Sequence, residues 1–488
     1  MYSSKIFDQN PWWEDIRSIE RDPHIRAWTE SGLGWSPKTQ FEDRDYVYSL
    51  RGTRQVGKTT TIKLDIQQRL KARPGNAILY YAFDLENSPR EIVDIIEQYL
   101  NWSQRLGERR YLYLDEVTNV RSWQKAIKYL RDRGRLVNCT VVVVGSNSVD
   151  LRKGTELLPG RRGISSEPLD RIQEPLKFGD YVTAMNRDLG SSIKKYRDHG
   201  ISAILQMAEG DIPDDVYALT ALLSKLNFYL DEYFVVGGMP IAVTAFKRLG
   251  VIPDSVYKTY LDAVTNDLKS VGSNMAYVEQ IMPNIIKSVC SPVSWRSLFR
   301  DTDIGSHHTV LEYVMTLADA FVLNIVYRYN MSSDGPKYNG MKKIYFRDPL
   351  FLHAWNTARR QESIFRASLA YAEETNIKPR IAEQTAAGHI TRLAFNISRN
   401  KIMHNDQLSV FYWSSKNNNE VDFAVRNGSD IIPIEVKYKN RIRTEDVYGM
   451  IDMRKAGGTS GGLVLTCDEI GCKGGNVLVP LAVFLALI

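Results

Sequence analysis

The segment Gly52-Thr-Arg-Gln-Val-Gly57-Lys58-Thr59 constrains the fold more than any other part of the sequence. It matches the pattern G-x-x-x-x-G-K-[ST], and it stands between an apolar run at Tyr46–Leu50 and an amphipathic segment at Thr59–Leu70. In such a loop, glycines let backbone N–H groups curl around phosphate oxygens, while the start of the helix adds a favourable dipole. The alternative, a plain surface turn, is disfavoured by the flanking strand and helix. The sequence therefore predicts a phosphate-binding loop.

The loop assigns specific roles to its last residues. Lys58 is expected to reach the β- and γ-phosphates of ATP, and the hydroxyl of Thr59 is expected to bind Mg²⁺. ATP and Mg²⁺ are thus the predicted ligands, and the residues expected to contact the nucleotide are Gly52, Thr53, Arg54, Gln55, Val56, Gly57, Lys58, Thr59 and Thr60.

A second apolar run, Tyr111–Leu114, ends in Asp115 and Glu116. Ligands of an open α/β sheet lie at the carboxyl ends of its strands, so these acids are expected beside the loop. Asp115 is predicted to hold magnesium and Glu116 to polarise the attacking water. Taken alone, two acids after a strand also suit a helix cap. The phosphate loop upstream favours the catalytic interpretation.

Two further residues are candidates for contacts with the γ-phosphate. Asn147 follows the apolar run Thr140–Val144, and its amide can contact the phosphate or the water, or simply form a turn. Arg161, in the turn Pro159-Gly-Arg-Arg162, offers a cation that could neutralise charge in the same chain or in a neighbouring subunit. An ordinary solvated arginine pair is the alternative.

The apolar runs are separated by amphipathic segments, which predicts a parallel sheet covered by helices on both faces, hence an α/β fold. A length of 488 residues exceeds one hydrophobic core. The chain contains no long apolar run and no secretory signal, so a cytoplasmic protein without a membrane partner is expected. Its four cysteines are scattered and suit free thiols better than a zinc site. A net charge of +6 permits nucleic-acid binding without requiring it.

Changes of pattern along the chain divide it further. A Trp-rich start gives way to the strand and helix alternation, then to mainly helical sequence. The segments Gln280–Ser291, Ser294–Phe299 and His307–Asp319, followed by β-rich sequence, suit a winged helix. The predicted domains are an N-terminal arm at 1–45, a nucleotide-binding core at 46–180, a helical lid or linker at 181–275, a winged helix at 276–345, and a strand-rich domain at 346–488.

The last domain contains a predicted hairpin. The runs Glu420–Arg426 and Ile431–Lys437 flank the turn Asn427-Gly-Ser-Asp430. Pairing Arg426 with Ile431 places Asp422 directly opposite Glu435. Since side chains alternate between faces, one face is uniformly apolar, and the other carries Glu420, Asp422, Glu435 and Lys437.

Two opposed carboxylates repel each other, and a divalent cation between them would remove that repulsion. The arrangement matches the PD-(D/E)xK nuclease pattern, with Asp422 and Glu435 as ligands of Mg²⁺ or Mn²⁺ and Lys437 orienting a water. Glu383, on the preceding helical segment, resembles the accessory acid of such folds. Two alternatives stay open: a solvated polar face without function, and a nuclease fold that only binds DNA or protein.

Several phrases resemble one AAA-type ATPase family of archaea and bacteria: GTRQVGKTT, LDEVTNVRSW, VVVVGSNS, the PGRR turn, PLKFGDY, YFVVGGMPIAV, KKIYFRDP and EVDF followed by IEVK. Members of that family end in a domain of unknown function with a winged helix and a restriction-endonuclease-like fold. The resemblance covers most of the chain after residue 45, and implies an ASCE-type P-loop ATPase with Glu116 as catalytic glutamate. The long Trp-rich arm departs from the family's usual short start.

Two functions follow as hypotheses. The first is a magnesium-dependent ATPase whose winged helix and nuclease-like domain engage DNA, whether duplex, forked or junction. The alternative is a regulatory or signalling NTPase whose C-terminal domains bind a protein partner and do not cleave DNA. Arg296, Arg300, His307 and His308 favour DNA, whereas the few basic residues in Thr309–Asp319 favour protein. Homo-oligomerisation is compatible with both.

Overall fold

The computed structural model consists of two compact units, Met1–Glu174 and Pro175–Ile488, which are described in turn. Among the residues that the structure describes, no helix is both long and apolar enough to cross a membrane. The described residues are 4–37, 39–104, 108–270, 272–357, 362–457, 459 and 461–488.

The first unit is built on a five-stranded sheet with the strand order β2-β3-β4-β1-β5. Each pair of neighbouring strands is parallel, which confirms the α/β class predicted from the apolar runs. In this order β4 lies between β1 and β3, so the strands that precede the candidate phosphate loop and the candidate acids are one strand apart. The strands are β1 (Val47–Arg51), β2 (Ile78–Ala82), β3 (Arg110–Asp115), β4 (Cys139–Val144) and β5 (Asp170–Ile172).

Helices cover both faces of this sheet, as the uniformly apolar strands require. On one face the strands pack against α4 and α5, and on the other against α3 together with Trp12, Ile19 and Phe41 of the N-terminal segment. The helices are α1 (Ser4–Asp8), α2 (Pro23–Ser31), α3 (Lys58–Arg69), α4 (Pro89–Trp102), α5 (Gln124–Asp132) and α6 (Ser148–Glu156), with short 3₁₀ turns at Pro11–Trp13, Ile16–Arg21, Gly75–Ala77 and Val117–Asn119.

The N-terminal segment lies along β2, the strand at one edge of the sheet. The side chain of Asn10 brackets Tyr80: its Nδ2 donates to the Tyr80 carbonyl at 2.8 Å, and its Oδ1 accepts from the Tyr80 N–H at 2.7 Å. The indole N–H groups of Trp12 and Trp13 both donate to the carbonyl of Ile78, at 3.2 and 2.8 Å. Backbone groups that an exposed edge strand leaves unpaired are therefore bound by the segment.

The second unit contains a nine-stranded sheet with the path β13-β14-β12-β11-β10-β9-β6-β7, in which β8 also pairs with β6. This sheet includes strands from both sides of the predicted domain boundary at residue 345. Strands β6 and β8, assigned to a winged helix ending at residue 345, belong to the same sheet as the hairpin assigned to the following domain. The strands are β6 (Leu323–Asn330), β7 (Gly335–Pro336), β8 (Lys342–Phe346), β9 (Val410–Ser414), β10 (Glu420–Asn427), β11 (Asp430–Lys437), β12 (Leu463–Thr466), β13 (Gly471–Lys473) and β14 (Asn476–Pro480).

Helices precede and surround this sheet. The segment predicted to be helical, 181–275, does form consecutive helices, α7 to α13. The helices are α7 (Phe178–Met185), α8 (Arg187–Arg197), α9 (Gly200–Ala208), α10 (Asp214–Thr220), α11 (Leu223–Val236), α12 (Pro240–Leu249), α13 (Asp254–Ser270), α14 (Met275–Ser288), α15 (Trp295–Phe299), α16 (His307–Asp319), α17 (Pro349–Thr357), α18 (Ile364–Glu373), α19 (Lys378–Ile397), α20 (Asp406–Ser409), α21 (Tyr448–Lys455) and α22 (Leu481–Leu487), with 3₁₀ turns at Lys401–Met403 and Thr444–Val447.

A buried aspartate joins the helical segment to the end of β8. The carboxylate of Asp348 accepts the N–H of Gly238 at 2.8 Å and that of Leu350 at 2.9 Å. Gly237 has a φ of +66°, and a Cβ there would lie 2.0 Å from Asp348 Oδ1, so the turn between α11 and α12 requires glycine at this position. Burial raises the pKa of Asp348 to about 6. The Gly-Gly turn and the aspartate thus form one structural unit although 110 residues separate Gly238 from Asp348.

Candidate functional site

The loop between β1 and α3 has the conformation that its glycines predict. Gly52 has a φ of +151°, and a Cβ there would lie 2.2 Å from the carbonyl oxygen of Gln173. The side chain of Gln173 holds the far side of the loop: its Nε2 donates to the Val56 carbonyl at 2.7 Å, and its Oε1 accepts the Thr61 hydroxyl at 2.8 Å. Gln173, which sequence analysis did not identify, therefore helps to fix the conformation of the loop.

Helix α3 begins at Lys58, directly after the left-handed Gly57. The Lys58 side chain is buried, and its Nζ donates to the carbonyls of Gly52 and Thr53 at 3.0 and 3.1 Å. The Lys58 ammonium and the N-terminus of α3 both lie at the loop, and their positive charge favours the binding of an anion there. Thr53 is also buried, Arg54 and Thr60 are half-buried, and Gln55 is exposed with a φ of +61°.

Thr59 and Asp115, the two predicted magnesium ligands, are in direct contact. The Thr59 hydroxyl donates to Asp115 Oδ2 at 2.9 Å, although the two residues come from α3 and β3. The Tyr80 hydroxyl of β2 donates to the same oxygen at 3.2 Å. Burial, and then the charge of Glu116, raise the pKa of Asp115. A nearby cation would stabilise the ionised form of such a carboxylate, so Thr59 and Asp115 suit a divalent metal ion.

Glu116 follows with a φ of +51°, which turns its side chain away from the direction of the strand. Its Oε2 accepts the backbone N–H of Ser146, just after β4, at 3.0 Å. Asn147 is the N-cap of α6, where its Oδ1 accepts the N–H of Asp150 at 3.0 Å. The carboxyl ends of β3 and β4 thus bring Glu116 and the segment of Asn147 together, as the sheet order predicts.

Arg161 has a different environment. Its guanidinium forms a two-pronged ion pair with Asp132, through Nε at 2.7 Å and Nη2 at 3.1 Å, on the surface of the first unit. Neighbouring Arg162 donates to the Val47 carbonyl and to Asp170 at 3.0 Å each. The guanidinium of Arg161 is therefore paired with a residue outside the phosphate loop and the strand ends.

In the second unit, the hairpin has the predicted register. Arg426 pairs with Ile431 and Asn427 with Asp430, which leaves Gly428 and Ser429 as a two-residue turn. Asp422 and Glu435 follow in opposition, and each accepts a backbone N–H from the facing strand. Glu435 Oε2 accepts that of Asp422 at 3.1 Å, and Asp422 Oδ2 accepts that of Val436 at 2.9 Å.

The two acids at the centre of the hairpin's polar face are buried, whereas Glu420 and Lys437 at its ends are half-buried. Asp422 and Glu435 are 6% and 3% exposed. Helix α19 packs on both hairpin strands and carries Glu383, so this acid does lie beside the hairpin. The Lys437 ammonium is ion-paired with Glu435, its neighbour but one on the same strand.

The cation between the carboxylates is a lysine that sequence reasoning missed. Lys343 of β8 is fully buried, and its Nζ lies 2.8 Å from Asp422 Oδ1, 3.1 Å from Glu383 Oε1 and 2.6 Å from Glu420 Oε1. Because side chains alternate along a strand, Lys343 and Tyr345 lie on the same face of β8, and this was a weak sign in the sequence that Lys343 points inward. The Tyr345 hydroxyl also donates to Glu383, at 2.7 Å.

These contacts set the charge of the cluster. Burial, and then repulsion by Asp422, raise the pKa of Glu383 to about 7 and that of Glu435 to about 8. Burial would also raise the pKa of Asp422, but the ammonium groups of Lys343 and Lys437 hold it below its ordinary value. Asp422 is therefore the anion that balances the buried lysine, and the repulsion expected between Asp422 and Glu435 is already relieved.

A polar cavity of about 330 Å³ opens beside the cluster. Its acidic lining makes it a poor place for a phosphate backbone. The lining residues are Asn418, Asn419, Glu420, Asp422, Glu435, Lys437, Glu445, Asp446, Tyr448 and Gly449.

Three segments of the chain match known family models. Residues 44–181 match an AAA domain. Residues 227–362 match DUF8612, a domain of unknown function, and residues 381–484 match DUF4143, another domain of unknown function. Neither of these two descriptions names an activity.

Similar proteins and structures include ones from bacteria and archaea. An uncharacterized protein of Haemophilus influenzae is 20% identical, over 85% of this chain and 88% of the relative. One of Methanocaldococcus jannaschii is 21% identical, over 77% and 70%. The Walker-type ATPase PABY2304 of Pyrococcus abyssi has a TM-score of 0.39 at 12% identity, covering 69% of this chain and 96% of that one. The Aeropyrum pernix ORC1 protein, solved in complex with DNA, has a TM-score of 0.25 at 12% identity, covering 76% and 94%.

The match to the AAA domain falls on the segment that contains the phosphate-binding loop. It includes the loop, both strand-end acids and Asn147. The strand arrangement and the match together identify residues 44–181 as an AAA-type P-loop ATPase domain.

Proposed function

We propose that this protein hydrolyses ATP in a magnesium-dependent reaction within its first unit. The observation that carries the proposal is the hydrogen bond of 2.9 Å between Thr59 and Asp115. A hydroxyl at the start of the helix and a buried carboxylate at a strand end are the ligands that a P-loop site offers to Mg²⁺. When bound, the ion would neutralise charge on the phosphates.

The other residues support the same reaction. Lys58 and the N-terminus of α3 favour the β- and γ-phosphates. Glu116 stands at the end of β3 with its carboxylate held by the Ser146 N–H, in a position to orient and activate a water. Asn147, at the start of α6, is proposed to contact the γ-phosphate or that water. Arg161 is proposed to act on a neighbouring subunit, if the chain forms a homo-oligomer.

The decisive variant is Glu116→Gln. It retains the shape and the hydrogen-bonding capacity of the side chain but removes the base, so kcat should fall by about 100-fold or more while ATP affinity persists. Lys58→Ala should instead weaken ATP binding itself. Turnover is measured by phosphate release and binding by a fluorescent ATP analogue.

The matched control is Glu20→Gln, which changes an exposed acid of the same unit. It should leave both measurements at the wild-type level. Hydrolysis at the wild-type rate by Glu116→Gln would contradict the assignment of the water-activating residue.

The second unit is proposed to bind a partner through its segment 275–346. What supports this is the order of elements: helices α14, α15 and α16, then the antiparallel strands β6 and β8, with an additional bridge from Val293 to Lys342. This is the succession of a winged helix, in which the third helix is the recognition helix.

Charge favours a protein partner over DNA. The basic side chains of residues 275–346 hardly outnumber the acidic ones, and two of them, Lys342 and Lys343, are buried. The six acidic residues are Glu279, Asp301, Asp303, Glu312, Asp319 and Asp334, and the seven basic ones are Lys287, Arg296, Arg300, Arg328, Lys337, Lys342 and Lys343. Helix α16 contains two acids and neither lysine nor arginine. A DNA-binding surface would present a net positive patch to the phosphates.

A binding experiment on the full chain separates the two partners. Affinity for duplex, forked and junction DNA is measured at low and high salt, for the wild type and for a variant with Arg296→Ala and Arg300→Ala. Under the protein-partner proposal, any DNA affinity is weak and non-specific, is lost as salt rises, and is the same in the wild type and the variant. If DNA instead binds tightly, and both high salt and the two substitutions weaken that binding, the result would establish a DNA-associated ATPase.

A further inference from the structure

The buried lysine at the nuclease-like cluster has a complete set of partners. An ammonium group has three N–H donors, and the Nζ of Lys343 is within 3.1 Å of carboxylate oxygens from Asp422, Glu383 and Glu420. The side chain has no exposed area. Burying an ammonium group without anions beside it is strongly unfavourable, so Lys343 can be buried only because these acids surround it.

The lysine is fixed by its strand as well as by its partners. Strand β8 pairs with β6 in five successive residue pairs, one of which is Lys343 with Val326. Tyr345, on the same face of β8, donates to Glu383, and this second contact holds α19 against the strand. Lys343 therefore reaches the cluster from a rigid element rather than from a loop.

The two acids that a nuclease would use for metal binding are already engaged. Asp422 gives one oxygen to Lys343 and the other to the N–H of Val436. Glu435 gives one oxygen to Lys437 and the other to the N–H of Asp422. Within the described part of the chain, no three or more His, Cys, Asp or Glu side chains are grouped so as to hold a metal ion. The residues present do not fit the divalent metal of a PD-(D/E)xK nuclease.

We propose that Lys343 is the permanent counter-cation of this cluster and takes the place of the divalent metal, so that the nuclease-like centre is assembled without metal and does not cleave phosphodiesters. In such a centre the acids and the lysine hold β8, α19 and the hairpin together. The domain would then be a nuclease-like scaffold kept for recognition.

The charge balance agrees with this role. Although burial alone would lower the pKa of Lys343, the carboxylates of Asp422 and Glu383 raise it well above its ordinary value, so the group stays charged. Two ammonium groups, those of Lys343 and Lys437, thus lie among four carboxyl groups, so the cluster contains its own counter-cations.

The test is a gain of metal binding. Mn²⁺ is titrated into the full chain without nucleotide, and binding is followed by calorimetry and by the shift in Tm. We expect no Mn²⁺ bound at the cluster of the wild type, and an identical isotherm for Asp422→Asn. Lys343→Ala removes the ammonium and leaves three carboxylates around a small space, so it should gain one Mn²⁺ per chain and be stabilised by it.

A double variant locates the new site. Lys343→Ala combined with Asp422→Asn should lose the Mn²⁺ that Lys343→Ala gains. A wild type that binds Mn²⁺ and loses it in Asp422→Asn would overturn the proposal, as would a folded Lys343→Ala that gains none. If Lys343→Ala does not fold, the wild type and Asp422→Asn decide alone: equal isotherms support the proposal and unequal ones overturn it. None of these results depends on whether the first unit hydrolyses ATP.

Discussion

His389 of α19 is buried in a setting that only the neutral imidazole satisfies. Its Nε2 accepts the N–H of Phe178 at 2.9 Å, and its Nδ1 is 3.0 Å from the carbonyl of Thr385, to which it must donate. Protonation would turn the acceptor into a donor facing another donor. Burial, and then the charge of Arg392, lower the pKa of His389 to about 3.

This predicts acid destabilisation of the second unit. Between the ordinary histidine pKa of 6.5 and about 3, the unfolded chain binds a proton that the folded chain does not. Stability therefore falls as pH decreases through that window, by about 1.4 kcal/mol per pH unit for one fully titrating group. Urea unfolding at a series of pH values measures it. In His389→Gln, which keeps a donor and an acceptor, the slope should be smaller by that amount, and an unchanged slope would contradict the assignment.

The buried pair of Asp422 and Lys343 determines the effect on stability of replacing Asp422. Facing carboxylates alone would predict that removing Asp422 relieves repulsion and stabilises the fold. Because Asp422 balances a buried ammonium, Asp422→Ala should instead lower the free energy of unfolding, by roughly 3–5 kcal/mol. Denaturant unfolding checks this, with the exposed Glu445→Gln as control; an increase in stability would show that repulsion dominates.

Sequence reasoning reached part of each site for a physical reason. The contact between Asp422 and Glu435 follows from counting residues outward from one turn, and the acids beside the phosphate loop follow from the geometry of parallel strands. Lys343 and Gln173 could not be found in that way. Both act across long stretches of chain, and a lysine in a strand is ordinarily assigned to the surface.

Among the elements, the N-terminal segment has the clearest energetic role. It covers the edge strand β2 through Asn10, Trp12 and Trp13, and it contributes Trp12 to the core beneath α3. Lys63 of α3 adds an ion pair with Asp22 of the segment at 3.1 Å, both side chains being largely buried. The segment thus completes the first unit.

Asn10→Ala should therefore destabilise the first unit. Both hydrogen bonds to the backbone of Tyr80 are lost, which leaves a buried N–H and a buried carbonyl without their partner and costs about 1–3 kcal/mol for each unsatisfied group. Thermal unfolding and light scattering on heating are the measurements, because an uncovered edge strand also promotes association. Glu20→Ala, an exposed change in the same segment, should have little effect; equal behaviour of the two variants would contradict the role given to Asn10.

The elements themselves were largely predictable, but their grouping was not. Apolar runs identified β1, β3 and β4 of the first sheet, and the ends of the three helices before β6 were predicted within five residues. The predicted boundary at 345 was drawn there because a short β-hairpin after three helices looks complete in sequence. The local sequence of β6 gives no indication that this strand also pairs with β9, more than eighty residues later.

At the scale of the whole molecule, the two units divide the proposed functions between them. Each residue proposed for ATP hydrolysis, together with Gln173, lies within Met1–Glu174. A fragment of residues 1–174 should accordingly fold and bind the fluorescent ATP analogue with an affinity within a few-fold of the full chain. A fragment of residues 46–174, which lacks the N-terminal segment, should aggregate instead. Failure of the longer fragment to bind nucleotide would show that the site needs residues of the second unit.

The sheet of the second unit has a consequence for how chains of this kind can be recombined. Strand β6 pairs with β8 on one side and with β9 on the other, so a break near residue 345 would leave unpaired strand edges on both pieces. A gene rearrangement at that point would therefore yield two aggregation-prone fragments rather than two independently folding domains. Exchange of whole segments should succeed at positions such as 174, and family diversity within residues 275–488 is expected to arise through loops and surface positions.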